Sequence, residues 1–269
     1  MPKEAHNGFK ATLSYLSRNL VCRILCMRVC NTAPVWWSCG LCCAILQCVK
    51  DVDLSRIIPV QWHGDDADSH RRRSFCCCTL SSPLAAPGSA WDNRILVYVT
   101  DNSRVCSETF DTLDAWMCWA FCELQEGCFF TVNPFGEEFN RGKTGQICGQ
   151  YRAVLCAIRG DQKYLQRCLK LKTAWNSEQV CAFCRASNAG DLVYTRFGPA
   201  APHRQTMIST EQFMESRCHM NPWIRIPGFH IELVLTDWLH IVDLAITPEV
   251  AASVLWLKNR PSYLLFFNI

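Results

Sequence analysis

Hydrophobic and polar positions follow recognisable periods only after about residue 90. The run RILVYVT at 94–100 is rich in β-branched and aromatic residues, which is typical of a buried strand. The segment 111–126, starting at Asp111, repeats apolar residues at helical spacing and therefore predicts an amphipathic helix. The run at 151–158 is a second buried segment, and its periodicity fits a strand and a helix equally well.

Two more helices are predicted further along the chain. Residues 162–171 place apolar side chains on one helical face, and residues 248–258 begin with Pro248 directly after Thr247, a good N-cap. This succession of strands and helices predicts an α/β or mixed α+β fold.

The first 89 residues show no clean periodicity and are predicted to be an irregular, cysteine-rich segment, either disordered or not genuinely part of the protein. Residues 29–49 carry no charge over about the length that crosses a bilayer, so a membrane anchor is an alternative for this segment. The structured region is expected to run from 90 to 258, with an insertion from about 175. Residues 259–269 read as a truncated tail.

Composition narrows the class of protein. The net charge is only +3 and 19% of residues are charged, so no global basic field exists and any contact with nucleic acid has to be local. Twenty cysteines suggest a secreted disulfide framework, but the N-terminus lacks a compact signal sequence and the cysteines are unevenly clustered. Free thiols in a reducing compartment, nuclear or cytoplasmic, are therefore expected.

Cys181 and Cys184 form a CxxC pair, which is half of a tetrahedral zinc site. With this many cysteines, about 1.5 such pairs are expected by chance, and the chain has two. The pair follows a helix-like stretch and has histidines downstream, including His240, that would complete a site. Two ordinary thiols are the alternative.

Asp161 directly follows the apolar run at 151–158. A carboxylate at a strand end is where two-metal phosphoryl-transfer sites hold Mg²⁺, because the strand fixes the backbone and its end leaves room for water. A Gly-Asp pair after a strand is also an ordinary turn. Asp237 and His240 share a helical face at i and i+3 and fit either a metal site or a capped, packed helix start.

The order of these segments adds information that no single segment carries. The succession AIRGDQKYL, SEQVCAFCRAS, NPWIRIPGFHIELVLTDWLHIVDL and EVAASVL resembles a multi-copy family of dinoflagellate genomes. That family in turn resembles eukaryotic cut-and-paste transposases of the broad group that includes the CACTA-type elements. The resemblance covers about residues 90–258.

The resemblance implies an RNase H-like catalytic domain whose three acidic residues hold two metal ions. The acidic positions that it implies in this chain are Asp101, with Asp92 as the alternative, then Asp161 and Glu249. It also implies an inserted zinc-binding segment whose ligands are Cys181, Cys184 and His240.

The sequence therefore predicts a transposon-derived protein whose ancestral reaction is Mg²⁺-dependent cleavage and transfer of DNA strands. Activity is not expected now, because Glu249 matches the third acidic position poorly and catalysis needs all three carboxylates. DNA is the expected partner, and no small-molecule substrate is indicated. The alternatives are a non-catalytic, zinc-stabilised DNA-binding or scaffold module, and a protein anchored in a membrane by residues 29–49.

Overall fold

A computed structural model describes residues 53–68, 73–85, 93–139, 144–147, 150–171, 178–196, 198–217, 221–236 and 250–252. Its strands are β1 (Ile57–Asp68), β2 (Ser74–Ser81), β3 (Arg94–Asp101), β4 (Arg152–Gly160) and β5 (Val234–Thr236). Its α-helices are α1 (Ser107–Glu126), α2 (Gln162–Cys168) and α3 (Thr210–Arg217). Short 3-10 turns occupy Leu54–Arg56, Pro202–Thr206, Pro222–Arg225 and Ile231–Leu233.

The five strands form one mixed sheet in the order β3-β2-β1-β4-β5. β2 runs antiparallel to both of its neighbours, β1 and β3, whereas β4 runs parallel to β1 and β5 runs parallel to β4. The predicted mixed α/β class is confirmed. The two central strands, β1 and β4, are thus parallel neighbours although nearly a hundred residues separate them in sequence.

The prediction of an irregular segment before residue 90 is wrong for residues 57–68 and 74–81, which form β1 and β2. In β1, residues 57–60 are all buried, and after them the buried residues Trp62 and Gly64 alternate with the less buried residues Gln61 and His63. In β2 two cysteines occupy buried positions, since Cys76 and Cys78 face the core. A free cysteine packs as a small hydrophobic residue, so a run of three cysteines conceals an ordinary strand.

The other predicted elements are largely confirmed. The strand at 94–100 is β3, and the run at 151–158 is strand β4 rather than a helix. α1 begins four residues before the expected Asp111 and ends at Gly127, whose φ of 70° is the left-handed conformation that favours glycine. α2 covers most of the helix predicted over 162–171, whereas the helix predicted at 248–258 falls mainly outside the described residues.

One face of the sheet packs against α1 and α2, and this side holds the main core. An aromatic group lies at its centre, where the Trp62 ring contacts Trp223 and Phe121 at centroid separations of 5.2 and 6.2 Å. Residues of every strand contribute to this core, so the sheet cannot be divided at residue 90.

Within the described ranges, none of the helices has the length and apolar character that crossing a bilayer requires. The segment 29–49, which suggested an anchor, lies outside those ranges.

Candidate functional site

The parallel strands β1 and β4 place two aspartates at neighbouring backbone positions, just after the last residues that join these strands. Gly64 of β1 lies beside Gly160 of β4, and the next residue along each chain is an aspartate, Asp65 and Asp161. Adjacent strands lie about 4.8 Å apart, and Asp161 keeps an extended backbone with φ of −67° and ψ of 168°. The backbones of the two aspartates are therefore neighbours.

Two glycines precede these aspartates because the ring of Tyr164 lies against them. A Cβ atom on Gly64 would come within 2.0 Å of the Tyr164 ring, and one on Gly160 within 2.5 Å. Tyr164 is buried, and its hydroxyl accepts a hydrogen bond of 2.5 Å from the Trp62 indole N–H. The first turn of α2 is thereby fixed onto the ends of both strands.

Asp161 is the N-cap of α2. One of its carboxylate oxygens, Oδ1, accepts a hydrogen bond of 2.6 Å from the backbone N–H of Tyr164. The turn interpretation of this aspartate is confirmed as local structure. It does not exclude a second role, because a carboxylate has two oxygens and about four acceptor positions.

Asp65 and Asp66 are consecutive in a strand and therefore point to opposite faces of the sheet. Asp66 points to the side of α2, where Lys163 and Arg167 form ion pairs with it at 3.1 and 3.3 Å. Burial opposes ionisation of Asp66, but the hydrogen bond from Lys163 and the charge of Arg167 outweigh it and hold its pKa below the usual value. Asp66 is thus a structural carboxylate whose charge is already neutralised.

Asp65 is half-buried on the other face of the sheet, opposite Cys77 of β2. Burial raises the pKa of the Cys77 thiol, and the negative charges of Cys76, Asp65 and Asp66 raise it further, which places the Asp65 carboxylate close to that strand. Sequence reasoning missed Asp65. Its local sequence gives no clear signal, because a proline, a histidine and a glycine interrupt the pattern of β1 before it.

Arg167 holds α2 against the neighbouring elements. Its guanidinium donates a hydrogen bond of 2.9 Å to the Cys76 sulfur and lies 4.0 Å from the centre of the Phe110 ring. Together with the Asp66 ion pair, these contacts join α2 to β1, β2 and α1. The helix that begins at Asp161 is consequently fixed at both of its ends.

Asp101 lies at the end of β3, not beside Asp161. Two strands separate β3 from β4, so the two aspartates are about 14 Å apart across the sheet, far more than the roughly 4 Å between paired metal ions. The sequence suggested Asp101 because it took β3 as the first strand, whereas β1 and β2 precede it.

Asp101 instead closes the turn after β3. It accepts hydrogen bonds from the Ser103 hydroxyl at 2.6 Å and the Ser103 backbone N–H at 3.0 Å. These bonds, with the charges of Arg73 and Arg104, hold the pKa of Asp101 below its ordinary value. Asp92, the alternative first acidic position, and Glu249, the third, lie outside the described residues.

Cys181 and Cys184 lie in a tight turn whose two arms are joined by a Gln179–Ser187 bridge and a Val180 to Ala186 hydrogen bond. The Gln179 side chain donates to the carbonyl oxygens of Cys181 at 3.2 Å and Cys184 at 3.5 Å.

The turn also aims a backbone donor at one sulfur, because the Phe183 N–H donates to the Cys181 Sγ at 3.4 Å. Burial raises the pKa of the Cys184 thiol. Two sulfur donors are half of a tetrahedral zinc site, so the residues present fit a zinc ion only in part.

The third expected zinc ligand, His240, lies outside the described residues. His230, another histidine downstream, caps a 3-10 turn by accepting from the Glu232 N–H. Among the residues that the structure describes, no three or more His, Cys, Asp and Glu side chains come together in a group that could hold a metal ion. All eleven described cysteines are free thiols, as predicted.

Neither protein-family models nor curated protein sequences give a match to this chain.

Proposed function

We propose that this chain derives from a transposase with an RNase H-like core, whose ancestral reaction was Mg²⁺-dependent cleavage and transfer of DNA strands. The observation that carries the proposal is that Asp65 and Asp161 each directly follow Gly64 and Gly160, the last pair of residues that join the adjacent parallel strands β1 and β4. The sheet order β3-β2-β1-β4-β5, in which β2 alone runs against the other four strands, supports an RNase H-like core.

Asp65 takes the place that the sequence assigned to Asp101. The resemblance requires the first acidic residue on or after the first strand and the second after the fourth strand. Counted among the described residues, those strands are β1 and β4, and this count supports assigning the two positions to Asp65 and Asp161. Two carboxylates and several waters are a ligand set that Mg²⁺ accepts.

When bound, Mg²⁺ would stabilise charge on a phosphoryl group and activate a water or hydroxyl nucleophile. The chain's own residues position the carboxylates: Tyr164 packs on the two glycines, and α2 fixes the backbone of Asp161. Asp66 adds no further ligand, because Lys163 and Arg167 neutralise it. Cleavage needs a third acidic residue, and the poor match of Glu249 is the reason to propose that the present chain binds Mg²⁺ without cleaving DNA.

The test is titration of the purified chain with Mg²⁺ and Mn²⁺ by calorimetry, together with a plasmid-nicking assay. Asp65→Asn and Asp161→Asn are each expected to weaken metal binding by tenfold or more, on the order of 1.4 kcal/mol. Asparagine is as good an N-cap as aspartate, so Asp161→Asn leaves α2 in place. Asp101→Asn is the matched control and is expected to leave metal binding unchanged.

Two results would contradict this proposal. If the wild-type chain binds neither ion, or if Asp101→Asn weakens binding as much as the other two changes, the paired strand ends are not a metal site. Nicking that is abolished by Asp65→Asn would instead show that the chain is still active.

A second candidate function is a zinc-stabilised DNA-binding or scaffold module without catalysis. The organised turn around Cys181 and Cys184 favours it, because Gln179 and the Phe183 N–H fix the backbone and aim a donor at sulfur, as the surroundings of a metal ligand commonly do. Zinc content measured on the purified chain tests it. Loss of zinc in Cys181→Ser, with full retention in the exposed control Cys106→Ser, is the expected result.

A further inference from the structure

β3 is an edge strand whose outer side pairs with no other strand among the described residues. Proteins normally protect such an edge with a charged residue or a proline in the strand. Residues 95–100 contain neither, and the charged residues lie only at the two ends, Arg94 and Asp101. This edge is therefore open to pairing with another strand.

A β-bulge gives β3 an unusual distribution of side chains. The register with β2 shifts between Cys78 and Thr79, so that Val97 is an extra residue in β3. Four residues face the core side of the sheet: Ile95, Val97, Tyr98 and Thr100. The other four lie on the opposite side, called here the outer face: Arg94, Leu96, Val99 and Asp101.

Along β3, the pattern of outer-face and core-side residues is symmetric about the midpoint between Val97 and Tyr98. An antiparallel partner with the same sequence, aligned about that midpoint, therefore matches outer-face residues with outer-face residues at every pair. Shifting this register by one or two residues in either direction places outer-face residues opposite core-side residues. The bulge thus selects one register of self-pairing.

The side chains that meet in this register are complementary. Arg94 of one copy lies opposite Asp101 of the second copy, and Leu96 lies opposite Val99, each pair occurring twice because of the two-fold symmetry. Leu96 and Val99 are 56% and 47% exposed in a single chain. Cross-strand pairs of opposite charge and of apolar residues both stabilise a sheet.

From these observations we infer that two copies of this chain associate through their β3 edges into a continuous ten-stranded sheet, with the two-fold axis between Val97 and Tyr98. The main chain supplies most of the attraction, as in other cases of strand addition, and the side-chain pairs set the register. An eight-residue edge is small for an interface, so the dimer forms in the micromolar range and its population depends on concentration. The inference is independent of the proposed function.

Sedimentation equilibrium of the full chain in a reducing buffer, over a range of concentrations, tests this dimer. The wild-type chain is expected to shift from monomer to dimer. Leu96→Lys is expected to raise the dissociation constant about tenfold or more, because it removes both apolar pairs across the axis. Met207→Lys, at a residue that is 63% exposed elsewhere, is the matched control and is expected to leave the constant unchanged.

The double variant Leu96→Lys/Val99→Glu tests the register itself. Only the alignment about the midpoint of β3 sets the new lysine of each copy against the new glutamate of the other, so this variant is expected to dimerise again to within about threefold of the wild type. A wild-type chain that stays monomeric, a double variant as weak as Leu96→Lys, or an equal loss in Met207→Lys would each overturn the inference. Circular dichroism establishes that every variant is folded.

Discussion

The two candidate sites are supported by very different surroundings. The aspartate pair lies at the ends of two central strands, and a fully buried tyrosine, a helix and an ion-pair network fix it from the core side. The cysteine pair lies in a turn of an irregular segment. Local hydrogen bonds fix this turn, together with longer-range bonds from the Arg185 N–H to the Thr206 hydroxyl and from the Ile208 N–H to the Phe183 carbonyl oxygen. The aspartates are therefore positioned by folding of the whole sheet, whereas the cysteine turn is positioned by its own hydrogen bonds and by contacts with residues 206–213. Within the described part of the chain, no group of three or more metal-binding side chains includes the two cysteines.

The largest expected effect on stability comes from a change at Gly64, where the Tyr164 ring packs closely against the residue before Asp65. Gly64→Ala places a methyl group about 2 Å from the Tyr164 ring, which is buried and hydrogen-bonded to Trp62 and cannot move aside freely. We expect a loss of about 3 kcal/mol in the free energy of unfolding, measured by urea denaturation. In the double variant Gly64→Ala/Tyr164→Leu the two losses are expected to be less than additive. Strictly additive losses would show that the ring is not the obstacle.

A smaller effect is expected from the ion pairs of Asp66. Its folded-state pKa is lowered, so the stability that it contributes is present above its unfolded pKa of about 3.9 and is lost as the pH falls through the folded value. We expect Asp66→Asn to cost about 1 kcal/mol at pH 7, given partial screening by solvent. The difference between the variant and the wild type should begin to shrink near pH 4 and vanish once the pH has fallen below the lowered folded-state pKa. Thermal melting from pH 2 to pH 7 measures this, and Asp53→Asn, at an exposed pair, is expected to show almost no change.

The smallest effect on global stability is expected at the cysteine turn. Gln179→Ala removes an exposed side chain that donates hydrogen bonds to two carbonyl oxygens of the turn. We expect a change below about 0.5 kcal/mol in unfolding, with faster hydrogen exchange confined to residues 178–187. If hydrogen exchange also accelerates in β1 or β4, the cysteine turn and the aspartates are coupled, which would contradict the view that they are positioned separately.

Elements whose pattern is local could be predicted from the sequence. β3 and α1 show their periods within a few residues, and the Gly-Asp step after β4 indicates a turn that the structure confirms as the N-cap of α2. β1 could not be recognised in this way because a proline, a histidine and a glycine interrupt its alternation. Its pairing with β4 depends on contacts between residues nearly a hundred positions apart.

The same long-range pairing decides the candidate site. Asp161 was found because its signal is the strand just before it. Asp65 was not, since its partner strand lies far along the chain, and the strand that stood first in the sequence interpretation was β3. Under the proposed function, this difference in strand numbering is what moves the first acidic position from Asp101 to Asp65.

The capping role of Asp161 can be separated from any role of its negative charge. Starting α2 needs only an oxygen that accepts from the Tyr164 N–H, and asparagine or serine provides one as well as aspartate does. A mutation that removes the negative charge would thus escape selection for folding. The charge at this position can therefore be lost while the protein keeps its fold.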